Sequence, residues 1–253
     1  MTTIPKLVLI YLSLATVAAP SFGRAPDGFR QAKSMAEDIY KDHKTTFYCS
    51  CDFTRKGRTL KISPSRCGYV PRNAFTRAGK VNSRAERVEW EHVVPAYDFG
   101  RNRQCWKSYK DAKGKRVSGR KNCVNTDPVF RQMEADLRNL VPSVGELNAD
   151  RSNYRFSMLE GEERAYGQCD FEVDSQYRKV EPAPHIRGDI ARTYLYMTKT
   201  YGLDLSRQQG QLFSAWNKED PVDEWECKRE RRIQRITHTT FDYLDQQCAE
   251  RGL

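Results

Sequence analysis

Eight cysteines in a chain of 253 residues restrict the possible folds more than any other feature of this sequence. They are Cys49, Cys51, Cys67, Cys105, Cys123, Cys169, Cys227 and Cys248, and all follow an N-terminal stretch that resembles a leader. That stretch, MTTIPKLVLIYLSLATVAAPSFG, carries one lysine, a short apolar centre and small residues near its end. It reads as a secretory signal peptide over residues 1–23, with cleavage between about 19 and 25. An even cysteine count behind an export signal predicts up to four disulfides and an oxidising location, periplasmic or secreted. A zinc site at Cys49-Ser50-Cys51 is the rival reading. The C-x-C spacing is not a zinc knuckle, however, and no Cys/His pair follows at finger spacing. The leader is too short and interrupted for a comfortable membrane span, and no later segment is long and apolar enough to cross a bilayer. No membrane partner is expected once the leader is removed.

No repeat or long linker divides residues 24–253, so a single α+β domain, helix-rich and disulfide-stabilised, is expected. Ala32, Met35, Ala36 and Ile39 recur at helical spacing and predict a helix over 29–42. Short strands are expected at Thr46–Tyr48, Thr59–Ile62 and Arg87–Val94, the last stopped by Pro95. Thr126 or Asp127 caps a second helix with Pro128 in its first turn. Its stripe of Phe130, Met133, Leu137 and Leu140 predicts continuation to Pro142. Asp189 is expected to cap a helix ending at Gly202, and a further helix is expected to open at Asp220-Pro221.

Residues 101–125 read as a hairpin or extended loop whose base a Cys105–Cys123 bridge would staple; Cys227–Cys248 is the other reasoned pairing. Between positions 107 and 121 stand seven cations, Lys107, Lys110, Lys113, Lys115, Arg116, Arg120 and Lys121, against one acid, Asp111. Trp106 and Tyr109 add flat surfaces, a combination that suits phosphates and unstacked bases. The whole chain has 43 Lys and Arg against 33 Asp and Glu, a formal charge of +10 that favours polyanionic partners.

The chemistry concentrates at VEWEHVVPA, residues 88–96. Cleaving a phosphodiester needs an activated water, in-line geometry and neutralisation of charge on the leaving oxygen. A histidine can take the water's proton, and a divalent ion held by oxygen ligands can supply the positive charge. Glu91 and His92 offer a ligand and a base from adjacent positions. Adjacent strand residues point to opposite faces, so the pair can share a site only if the strand ends or bulges there. A second oxygen ligand should come from residues 134–153, where Glu134, Asn139, Asn148 and Asn153 remain open choices. His43, His185 and His238 read as surface residues.

The runs EWEHVVPA, RQCW, RKNC, DPVF, EADLRNLVPSVGELNADRSNYRF and RGDIARTYLYM occur in this order. Together they resemble the bacterial endonuclease I family, periplasmic or secreted nucleases with a ββα-metal core, over roughly residues 30–235. The resemblance implies a metal-dependent, largely sequence-nonspecific endonuclease. Such an enzyme cuts double- and single-stranded DNA, and RNA, to 5′-phosphates, using Mg²⁺ (Ca²⁺ or Mn²⁺ also possible), and works as a monomer. It implies metal ligation by Glu91 and Asn148, base catalysis by His92, and phosphate contact by Arg120. Glu134 would orient groups near the metal, Asn139 would be structural, and Glu89 supporting or solvent-facing. One departure is a longer basic insert over 107–119, which gives Arg120 more freedom of position and adds nonspecific binding by Lys107, Lys110, Lys113, Lys115, Arg116 and Lys121. Retention of Glu91, His92, Arg120 and Asn148 argues against an inactive binding relative. The motif order argues against a disulfide-stabilised structural protein.

Overall fold

The computed structural model describes residues 25–107, 109–161 and 163–253, so the expected leader over 1–23 lies outside the described residues. Helix α1 (Phe29–Ile39) forms on the expected spacing and stops short of residue 42, where Tyr40 leaves the helical conformation. A hairpin of β1 (Phe53–Lys56) and β2 (Thr59–Ile62) follows, then one-turn helices α2 (Pro64–Cys67) and α3 (Ser83–Glu86). The expected strand at Thr46–Tyr48 is absent. The chain there makes a tight turn in which Thr45 bridges Asp52 and Ser50 adopts a positive φ of 51°. Cys49 and Cys51 leave that turn toward different partners, Cys169 and Cys67.

Strand β3 (Val88–His92) ends at His92, two residues before the expected limit, and leads into α4 (Ala96–Gly100). The basic segment is a hairpin of β4 (Tyr109–Lys110) and β5 (Arg116–Val117), stapled at its base by Cys105–Cys123 as expected. It passes into α5 (Gly119–Thr126) and α6 (Pro128–Glu134), with Asp127 capping α6 through the Phe130 amide. The predicted continuation of this helix to Pro142 is overturned. Asp136 accepts a hydrogen bond from the Arg138 amide and starts a new turn, and Leu140 opens strand β6 (Leu140–Val144). Arg229 Nη2 takes the carbonyls of Leu137, Arg138 and Leu140, so a distant side chain replaces the helical bonds that local periodicity predicted. Pro142 sits within β6 opposite Trp90, tolerated because the two-stranded ribbon leaves that strand an open edge.

Helix α7 (Gly145–Arg151) follows β6 without a loop. A small sheet then forms, with β9 (Lys179–Pro182) between β7 (Arg155–Phe156) and β8 (Phe171–Asp174). Four helices close the fold: α8 (Arg187–Tyr201), α9 (Arg207–Glu219), α10 (Glu224–Thr237) and α11 (Asp242–Glu250). Helix α8 starts two residues before the expected cap and places Asp189 in its first turn, while Gly202 stops it at φ 67° as expected. Asp223, rather than Asp220, caps α10. Asp220 instead accepts a bond from the Gly188 amide, in a contact so close that a Cβ on Gly188 would meet the Asp220 carbonyl at 1.8 Å.

The β3–β6 ribbon lies between two apolar layers. Trp90 and Leu140 pack with Ala32, Ala36 and Ile39 of α1 and Ile233 of α10. Val141, Val144 and Leu147 pack into the larger core with Phe156, Phe171, Ile190 and Trp216. Each fully buried large apolar side chain contributes roughly 1.5–3 kcal/mol, so the ribbon is fixed from both faces. Four disulfides close the single α+β domain, including the expected Cys227–Cys248. Among the described residues no helix is long and apolar enough to cross a membrane.

Candidate active site

The unpaired edge of β3, α1, α5 and α7 border a cleft of about 1070 Å³ that contains Glu89, Glu91, His92, Arg120 and Asn148. Strand alternation puts Glu89 and Glu91 on one face of the ribbon and Trp90 and His92 on the other. Their contacts agree: the carboxylates meet α7, and His92 stacks on Phe29 of α1 with ring centroids 4.8 Å apart. Glu91 and His92 share the cleft because the strand stops between its two faces. Arg151, at the end of α7 and wholly buried, fixes that stop. Its Nη1 donates to Glu91 Oε1 (3.0 Å) and to the His92 carbonyl (2.8 Å), and Nη2 donates to the Val93 carbonyl (2.5 Å). Asn139 holds the next residue, accepting from the Val94 amide and donating to its carbonyl, which is the structural role expected of it.

His92 is buried and makes a 2.8 Å bond from Nε2 to the backbone carbonyl of Glu134. A carbonyl only accepts, so Nε2 carries the hydrogen and Nδ1 is left as the proton acceptor. Burial first, and the Arg120 charge second, push the imidazole down to about 3, so it is neutral across the physiological range. The Glu134 carboxylate, also buried, accepts from Arg120 Nε at 2.7 Å. Glu134 therefore orients the base through its backbone and the arginine through its side chain. Arg120 leaves about half its side chain exposed and lies 5.6 Å from the Phe29 ring centre. Arg120 lies at the start of α5, which is packed closely on Trp106: a Cβ on Gly119 would meet the Trp106 carbonyl at 2.5 Å.

Glu91 and Asn148 both line the cleft and carry oxygen atoms that could hold a cation. Burial pushes the Glu91 carboxyl up to about 7, against the pull of Arg151. Asn148 Nδ2 donates to Glu89 Oε2 at 3.0 Å. A carboxylate only accepts, so the Asn148 amide must turn its nitrogen to Glu89 and leaves Oδ1 free as a ligand. Glu89 is held in turn by Arg84 and Arg87 and is a supporting residue rather than a solvent-facing one. Among the described residues no group of three or more His, Cys, Asp or Glu side chains gathers as a metal cage. One carboxylate and one amide oxygen suit a hard cation that keeps several waters, which is the habit of Mg²⁺.

A comparison with known families places residues 29–248 on the family model described as Endonuclease I. The chain belongs to the endonuclease I family. It is 45% identical over 221 residues to an extracellular deoxyribonuclease of Aeromonas hydrophila, covering 87% of this chain and 90% of that protein. It is 41% identical over 244 residues to a periplasmic deoxyribonuclease of the same organism, covering 96% of each chain. An Endonuclease-1 of Buchnera aphidicola subsp. Acyrthosiphon pisum is 39% identical over 222 residues, covering 88% of this chain and 82% of that protein. The fold thus brings together, in an endonuclease I chain, the five residues Glu91, His92, Arg120, Glu134 and Asn148 read from the sequence. It leaves the hairpin cations outside: Lys107, Lys110, Lys113, Lys115, Arg116 and Lys121 do not line the cleft.

The cations that do line the cleft come largely from elsewhere: Arg30 and Lys33 on α1, Arg55 and Arg58 at the β1–β2 hairpin, and Arg84 and Arg87 before β3. Sequence reasoning missed these because they are scattered, whereas the hairpin cations form a visible run. It also missed Phe29, whose ring carries His92, Arg120 and Lys33 together. Arg151 was legible only as one charge within the GELNADRSN segment.

Proposed function

We propose that this protein is an exported, metal-dependent endonuclease that hydrolyses phosphodiester bonds of DNA, and of RNA, with little sequence preference. The observation that carries the reading is the neutral His92 imidazole, with Nδ1 open, beside Arg120 and the Glu91/Asn148 oxygen pair in a cleft lined by cations. The names of the relatives, extracellular and periplasmic deoxyribonucleases, support DNA as substrate and a place outside the cytoplasm. The four disulfides support the same compartment, with residues 1–23 as its signal peptide.

In this mechanism His92 Nδ1 takes a proton from a water molecule as the water oxygen attacks phosphorus. The bond from phosphorus to the 3′-oxygen breaks, and the departing oxygen takes a proton from solvent. The fragment released keeps a 5′-phosphate. Glu134 holds Arg120 so that its guanidinium can pair with the non-bridging phosphate oxygens, whose charge grows as the water attacks. Glu91 and Asn148 would hold one Mg²⁺, with Ca²⁺ or Mn²⁺ as substitutes. When bound, that cation supplies positive charge to the scissile phosphate and the leaving oxygen. The basic hairpin contributes sequence-independent attraction outside the cleft. The working unit in this reading is a monomer.

The test is product analysis. Plasmid DNA and an RNA transcript, each digested with Mg²⁺, should yield ends that a ligase or a 5′-phosphate-dependent exonuclease accepts, and a chelator should stop both reactions. Products bearing 5′-hydroxyls, or digestion undiminished by chelator, would overturn the proposal.

A further inference from the structure

The cleft does not end at the catalytic residues. Tyr97 and Asn153 line it and also line a second groove of about 620 Å³, so the two hollows meet across these side chains. The second groove belongs to no residue set used in the chemistry above. Its cations are Arg101 after α4, Arg155 on β7, and Arg178 and Lys179 at the start of β9, against a single acid, Asp98.

Three properties set this groove apart. First, Arg101, Arg155 and Lys179 are exposed, and none has a carboxylate partner within 4.0 Å among the described residues. Several other cations are tied up, Arg103 to Asp127, Arg138 to Glu230, Arg192 to Glu226 and Arg232 to Asp42. Four cations against the one acid, Asp98, leave the hollow with a net positive potential. Second, aromatic faces accompany them. Tyr177 is 67% exposed at the apex of the β8–β9 hairpin, and Tyr97 is 40% exposed with the Arg101 guanidinium 5.5 Å from its ring centre. Third, one of the cations is held on backbone that goes against local preference. Arg178 sits at a φ of 54°, a conformation that an L side chain rarely adopts, and its Nη2 donates to Asn153 Oδ1 at 2.7 Å on the shared rim. The N-terminal end of α9, at Ser206, Gln208 and Gln209, borders the same hollow and adds its dipole.

We infer that this groove is a nucleic-acid subsite. It binds the phosphate backbone, and stacks bases, of the substrate strand running on from the scissile phosphate past Tyr97 and Asn153. The inference rests on the nuclease reading of the neighbouring cleft. Arg155 and Lys179 take phosphates as free cations, Arg178 marks the turn of the strand at the rim, and Tyr177 is a platform for an unpaired base. A subsite of this kind binds without sequence preference, because phosphates and base faces are common to all sequences.

The experiment is anisotropy titration of a fluorescent oligonucleotide in chelator, where no cutting occurs, for wild type and for the double variant Arg155→Ala/Lys179→Ala. Both side chains are exposed and unpaired, so the fold should be unaffected. With two phosphate contacts removed, the slope of log affinity against log salt should become shallower by about 1.4 for single strands. Hydrolysis of bis(p-nitrophenyl) phosphate with Mg²⁺, a diester too small to reach the groove, should stay within about twofold of wild type, as expected where only remote binding is lost. Tyr177→Ala should weaken single strands more than duplex. An unchanged salt slope overturns the inference, as does an equal loss on the small diester, which would place the two residues in the chemistry or the fold. If wild type itself hydrolyses neither diester nor DNA, the nuclease reading fails, and the binding titration still judges the groove separately.

Discussion

Replacing Arg151 by methionine tests how the Glu91–His92 corner is held. The guanidinium is the donor for Glu91 Oε1 and for the His92 and Val93 carbonyls, and its side chain is fully buried against the Phe156 ring at 4.8 Å. Methionine fills much of the same volume but leaves Glu91 as a buried carboxylate without a cation, a loss of about 3–5 kcal/mol. Glu91→Gln alone leaves Arg151 as the unpaired charge, at a cost of the same order. The double variant buries neither charge and keeps only two orphaned carbonyls, each worth about 1–3 kcal/mol. Both variants that lack Arg151 orphan the same two carbonyls, so that cost cancels in the cycle and leaves a coupling of several kcal/mol from the two unpaired charges. Urea unfolding at constant m-value reads it. The pH dependence supplies a second check. The folded Glu91 carboxyl is pushed up to about 7, so it takes up a proton where the unfolded chain stays ionised. Protonation relieves the buried charge as pH falls, so the cost of Arg151→Met should be smallest near pH 5 and grow steadily as pH rises above about 7. A coupling below about 0.5 kcal/mol would refute the view that Arg151 and Glu91 act as a pair.

Glu89→Gln should free the Asn148 amide to turn, raising the Mg²⁺ concentration for half-maximal DNA cleavage about tenfold; an unchanged requirement would mean that Glu89 does not orient the ligand. Cys49→Ser/Cys169→Ser opens a bridge spanning 120 residues and should cost about 4–5 kcal/mol, read as a lower melting temperature in non-reducing buffer. Asp189 lies near Glu226, Asp220 and Asp223, and burial together with the Glu226 charge holds its carboxyl well above the usual range. A raised folded value means that stability is present at acid pH and lost as pH rises through it. Asp189→Asn should therefore stabilise the protein by about 1 kcal/mol at pH 8 and by nothing near pH 4, as followed by thermal melts.

Much of the site was legible because its residues sit in short, chemically marked runs. Glu91-His92 could be read as a ligand beside a base, and the strand end they required exists. Asn139 and Asn148 were separated only through the family resemblance, since both are amides on neighbouring elements. What the sequence hid was tertiary. The apolar stripe through Leu137 and Leu140 fits a helix, and only the Arg229 side chain, some ninety residues away, accounts for the break. Thr46–Tyr48 has strand composition, but Cys49 and Cys51 pull the chain apart through bonds to Cys169 and Cys67. The hairpin cations drew attention by adjacency, whereas the cleft gathers Arg30, Arg58, Arg84 and Arg87 from three separate segments.

The central claim, that His92 is the base of a nuclease, is tested most directly by His92→Ala. Plasmid nicking with Mg²⁺ should fall by about 10²–10⁴-fold, while plasmid affinity measured in chelator stays within about twofold of wild type. Nicking by His92→Ala at the wild-type rate would contradict the account.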